Sequence, residues 1–99
     1  MIAVYILSNK PNGTLYVGAT SNLSRRIMQH KNKASKKSFS AQYSVNKLMY
    51  FECFEALDEA FAREKQLKAG SRMKKILLIN KFNPQWVDLY DTLPRKYGP

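Results

Sequence analysis

Residues Ile2 to Leu7 and Thr14 to Ala19 are two short runs rich in β-branched and aromatic side chains, separated by Asn9-Lys10-Pro11-Asn12-Gly13. Proline presets φ, and asparagine and glycine accept left-handed backbone, so the chain must turn there and the two runs must return as an antiparallel hairpin. With Tyr5 opposite Tyr16, Val4 faces Val17 and Ile6 faces Leu15 on one side of the sheet. A strand alternates its side chains, so both tyrosines then occupy the other side, beside the small pair Ala3 and Gly18. The expected result is a shallow cleft over Ala3 and Gly18 with two phenols at its edge.

Downstream, Ser21 or Asn22 can cap a helix running to about Lys33, with Leu23 and Ile27 on its buried side and Arg26 and His30 together on another flank. Asn32 to Ser44 is rich in Lys and Ser and reads as an exposed basic loop. Val45 to Phe54 is the longest apolar run and predicts a third strand, central or packed on both faces. A second helix is expected from Leu57 to Lys68, stopped by Gly70, with Leu57, Ala60, Phe61 and Leu67 as its buried stripe. Glu64 falls on that stripe, where a carboxylate is costly unless it is satisfied. Ser71 caps a third helix to about Asn80, carrying Met73, Ile76, Leu77, Leu78 and Ile79, and the apolar tail around Trp86 is expected to dock on the core. At 99 residues the chain is read as one domain, 1–99.

The formal net charge of +10 comes from 17 Lys and Arg against 7 Asp and Glu, spread along the chain rather than gathered in a tail. Such an excess attracts phosphate backbones through counterion release, which makes a nucleic acid the expected partner. The lone Cys53 excludes an internal disulfide framework and a zinc site built on several cysteines. A reducing, cytoplasmic setting fits, with no membrane span and no signal peptide expected.

Phosphodiester hydrolysis requires an activated water, neutralised phosphate charge and a stabilised leaving oxygen. Glu64 could hold one Mg2+ (or Mn2+) that keeps waters and the substrate phosphate in its remaining positions. Arg26 offers a permanently charged planar fork to phosphate oxygens. His30 could donate to phosphate or shuttle a proton, and a tyrosine acidified by neighbouring positive charge could serve as base. Each residue also has an ordinary role: strand tyrosines pack, a helical arginine faces solvent, and Glu64 could form a structural ion pair with a lysine or arginine. It is their combination on so basic a chain that points to chemistry.

The ordered set Val4-Tyr5, Tyr16-Val17-Gly18, Arg26, His30 and Ala62-Arg63-Glu64-Lys65-Gln66-Leu67-Lys68 resembles the GIY-YIG nuclease superfamily, most closely its small stand-alone bacterial branch. That resemblance spans nearly the whole chain and implies an α/β (α+β) fold, a small three-stranded antiparallel-type sheet flanked by helices. It implies Tyr5 and Tyr16 as the tyrosines of the two half-motifs, Tyr16 being the favoured general base. It further implies Gly18 as a close-approach glycine, Arg26 as the phosphate-stabilising arginine, His30 as its companion and Glu64 as the metal ligand. Gly18, Arg25, Lys33, Lys36 and Lys37 complete the reading as nucleic-acid contacts. The first half-motif departs from the family pattern as Ala3-Val4-Tyr5, and the late asparagine of many members is matched securely by neither Asn80 nor Asn83. The expected activity is metal-dependent endonucleolytic cleavage of DNA, including structured or damaged DNA. The alternatives are a nucleic-acid-binding module without turnover and a partner-docking subunit that uses the hairpin or the Trp86 tail.

Overall fold

The computed structural model describes residues 1–32 and 44–93; Lys33, Lys36 and Lys37 lie outside the described residues. Strands β1 (Ile2–Ser8) and β2 (Leu15–Thr20) form the hairpin. Between them the Gly13 N–H donates to the Lys10 carbonyl at 2.9 Å, with Pro11 and Asn12 at the corner and Asn12 at φ 57°. That backbone suits asparagine in the third position of a type II turn. Asn9 Oδ1 then accepts from the Thr14 N–H at 2.9 Å and closes the loop.

The register differs from the expected one by two residues: Tyr5 pairs with Gly18, Ile6 with Val17 and Leu7 with Tyr16. A slip of two preserves every side chain's face. The tyrosines therefore share a side of the sheet but stand diagonally rather than opposite each other. Strand β3 (Lys47–Phe54) pairs antiparallel with β1 on its other edge, giving the order β2-β1-β3. The central strand is thus β1, and β3 is an edge strand. It starts two residues later than predicted, and a register irregularity opposite Ile6 and Leu7 lets it feed both faces.

Helices cover both faces. Helix α1 (Leu23–Lys31), capped by Asn22, buries Leu23 and Ile27 against Ala3, Tyr5, Leu7, Val45 and Leu48. Helices α2 (Leu57–Ala69) and α3 (Arg72–Phe82), the latter capped by Ser71, cover the other side, where Ala60, Leu67 and Ile79 pack with Val4, Ile6, Val17 and Met49. Each fully buried aliphatic side chain contributes ~1.5–3 kcal/mol relative to exposure. The expected stripe of α2 is only half right. Ala60 and Leu67 are buried, whereas Leu57 and Phe61 are exposed, because the helix is rolled so that the Ala60–Leu67 line meets the sheet. On α3 Met73 and Leu77 are likewise exposed, leaving Ile79 as its buried anchor.

Two polar clusters fix the helices. The Arg63 Nε donates to Glu52 Oε2 at 2.9 Å, and the Tyr50 hydroxyl donates to the same oxygen, which ties α2 to β3. Asp88 receives the Leu48 and Tyr90 N–H groups at 3.1 and 3.0 Å and pairs with Lys31 Nζ at 2.5 Å, which ties the C-terminal strap and the end of α1 to β3. Trp86 docks as expected, buried in the α2–α3 side of the core with its Nε1 donating to Asn80 at 2.6 Å. Among the described residues no helix is long and apolar enough to cross a membrane.

Candidate active site

Tyr5 comes from the central strand and is buried to 1% exposure, because the alternation that puts Val4 and Ile6 on one face puts Tyr5 on the other, under α1. Its ring crosses directly over the cross-strand partner Gly18. A Cβ on Gly18 would lie 2.4 Å from the Tyr5 hydroxyl and 2.5 Å from ring carbon Cζ, so only glycine leaves the ring its place. The expected open cleft over Gly18 is therefore filled by Tyr5 itself. What Gly18 accommodates within the fold is the tyrosine.

Around Tyr5 the side chains of β2 and α1 close in. The ring centroids of Tyr5 and Tyr16 are 6.4 Å apart, those of Tyr5 and His30 6.0 Å, and those of Tyr16 and His30 5.2 Å. His30 Nε2 is 3.1 Å from the Tyr5 hydroxyl. Arg26, one helical turn before His30, donates to Gln29 Oε1 at 3.2 Å, and both phenols act on its guanidinium electrostatically. A guanidinium only donates, so any hydrogen bond between Arg26 and a phenol oxygen runs toward the tyrosine.

Burial, reinforced by the Arg26 charge, holds the His30 pKa down at about 4, so the ring is neutral near pH 7. Burial also pushes the Tyr5 hydroxyl up to about 12; the Arg26 hydrogen bond opposes this, while negative charge on Tyr16 and on Glu64 adds to it. The Tyr5 hydroxyl in turn raises Arg26, against the cost of its partial burial. Tyr5 is thus a neutral phenol locked between a cation and an imidazole. Tyr16 is the more accessible of the two, half-buried at the edge strand.

Glu64 is carried by α2, which packs mostly along β1 and β2, and its carboxylate lies close enough to bear on Tyr5 electrostatically. It pairs with Lys68 Nζ at 3.1 Å. Lys68 is an exposed lysine one turn on rather than a core lysine, and an ion pair of that kind is weak enough to yield to another cation. Among the described residues no three or more His, Cys, Asp and Glu side chains gather as metal ligands. A single carboxylate does not make a closed resident site. It does fit Mg2+ or Mn2+, hard ions that accept one or two protein oxygens and complete their shell with water and substrate phosphate.

Tyr5, Tyr16 and His30 are thus brought together with Arg26 one helical turn away, whereas Glu64, on the helix that covers the opposite face of the sheet, reaches Tyr5 through its charge alone. Arg25 is not among them; it is exposed and lines a separate hollow with Met28, Gln29 and Tyr90. Neither asparagine weighed for the late family position joins the group. Asn83 is buried, donating to the Met49 and Val87 carbonyls and accepting from the Val87 N–H, while Asn80 holds Trp86. Two supporting residues escaped the sequence reading. Gln29 steadies Arg26, and its spacing of three along the helix was a visible signal. Asp88 steadies the end of α1 beside His30 from far along the chain, with no local signal.

The chain matches the family model of the GIY-YIG catalytic domain over residues 1–76. It is 43% identical over 77 residues to a UPF0213 protein of Clostridium perfringens, covering 78% of this chain and 81% of that one. A UPF0213 protein of Staphylococcus saprophyticus is 36% identical over 77 residues, covering 78% of this chain and 92% of the relative. The solution NMR structure of a UPF0213 protein from Bacillus halodurans superposes with a TM-score of 0.52 at 28% identity, covering 93% of this chain and 94% of that one. These names state no substrate, metal or reaction.

Proposed function

The chain belongs to the GIY-YIG nuclease family, and from that premise we propose that it is a metal-dependent endonuclease that hydrolyses phosphodiester bonds in DNA, including structured or damaged DNA. The observation that carries the reading is the convergence of Tyr5, Tyr16, Arg26 and His30 from three elements, with Glu64 bearing on the same phenol. Arg26 neutralises the phosphate with a charge it cannot lose. Tyr16 orients and deprotonates the attacking water, since the buried, proton-retaining Tyr5 is unsuited to that task. Tyr5 and His30 keep the guanidinium aimed. Glu64 would hold Mg2+ or Mn2+, which supplies electrophilic charge to the phosphate and the leaving oxygen. The Lys and Arg excess, with Arg25, Lys33, Lys36 and Lys37 as backbone contacts, supplies sequence-independent attraction.

A second reading, binding without turnover, is favoured by one observation: both candidate late asparagines are committed to holding the C-terminal strap. One assay separates the two. Wild type, Arg26→Ala and Glu64→Ala are incubated with nicked, branched and linear DNA in Mg2+ or Mn2+, with and without chelator. The endonuclease reading expects cutting that chelator stops and both variants lose; retained DNA binding with no cutting of any substrate favours the binding module.

A further inference from the structure

Leu57 and Phe61 are the large apolar residues of α2 that the core leaves out, at 54% and 52% exposure. They stand one turn apart, and Glu64 follows seven residues after Leu57 and three after Phe61, so a period of 3.6 sets all three along one line of the helix. Lys68, paired with Glu64, continues that line. The candidate metal ligand is thereby preceded by an apolar ridge and followed by an ammonium. Exposed apolar rows are costly in solubility, and a helix that departs from its expected buried stripe beside a candidate carboxylate is where such a departure has a use.

The occupant follows from what would lie at Glu64. A phosphodiester held there carries a nucleobase on either side, and the nucleobase is the apolar, flat part of that substrate. Adjacent residues on a helix face are ~5–6 Å apart, a distance a nucleotide spans easily. We propose that Phe61, backed by Leu57, is a stacking platform for the nucleobase next to the scissile phosphate; the inference rests on the endonuclease reading above. Bases at a junction or a nick have a free π-face to offer, whereas bases inside an intact duplex are covered by their neighbours. The platform would therefore favour branched or nicked DNA over continuous duplex, and would do so without reading sequence.

The test uses steady-state cleavage of branched DNA together with 2-aminopurine placed beside the cut. Phe61→Ala is expected to raise KM roughly tenfold, more than it lowers kcat, with Phe61→Trp restoring the wild-type value. Binding of the Glu64→Gln protein should quench the 2-aminopurine, and adding Phe61→Ala should abolish the quench. Phe61→Leu keeps apolar bulk without the ring and should behave as Phe61→Ala; a wild-type KM in that variant overturns stacking. Unchanged KM and quenching in Phe61→Ala, with cutting intact, overturns the platform and leaves the endonuclease reading standing. No cutting by wild type on any substrate overturns that reading and the platform with it.

Discussion

A histidine buried beside an arginine is a pH-dependent element of stability, and His30 is 8% exposed with the Arg26 charge close by. Its pKa falls from 6.5 in the unfolded chain to about 4 in the fold. Between those values the unfolded chain takes up a proton that the folded one refuses, so the contribution is fully present above about pH 6.5 and is lost as pH falls toward 4. The shift corresponds to roughly 3 kcal/mol at most. Urea unfolding of wild type and His30→Gln from neutral pH down to about pH 4.5 should show wild type losing stability more steeply; parallel curves would contradict the assignment of His30 as a buried neutral ring. The same scale shows what residue identity made legible. The family resemblance marks Gly18 as a close-approach glycine, but the group that approaches it, the Tyr5 ring, depends on a cross-strand pairing that composition does not reveal.

Elements were legible where a period governs them and illegible where a distant contact does. The period of two placed Tyr5 and Tyr16 on one face even though the register was displaced by two, because the turn is set by Lys10–Gly13 and Asn9–Thr14 hydrogen bonds rather than by the apolar pairs. Helix α2 was readable in extent but not in rotation: Leu57 and Phe61 have the same hydropathy as core residues, and only the packing of Ala60 and Leu67 decides which flank meets the sheet. Least legible was the strap, in which Asp88 collects Leu48, Tyr90 and Lys31. Replacing it leaves two backbone N–H groups and a partly buried ammonium without that acceptor, so Asp88→Ala should cost about 1–3 kcal/mol. Because Lys31 follows His30, hydrogen exchange should quicken at the end of α1 in this variant. A melting temperature and exchange pattern equal to wild type would show that the strap does not hold α1.

At the scale of the whole molecule the charge excess and the proposed catalytic group make separate claims. Charge governs affinity: DNA binding should weaken steeply with salt, at about 0.9 logarithmic units per phosphate neutralised, and Arg26→Ala should reduce that slope by about 1. A slope near zero would remove the polyanion from the account. The assembly governs cutting, and a single-turnover cleavage rate on one branched DNA substrate in Mg2+ tests it most directly. Wild type should cut, with Glu64→Gln and Arg26→Ala each slower by about a hundredfold or more although they remain folded. Equal rates in wild type and Glu64→Gln, or cutting that persists in chelator, would contradict a phosphodiesterase site built on Tyr16, Arg26 and Glu64.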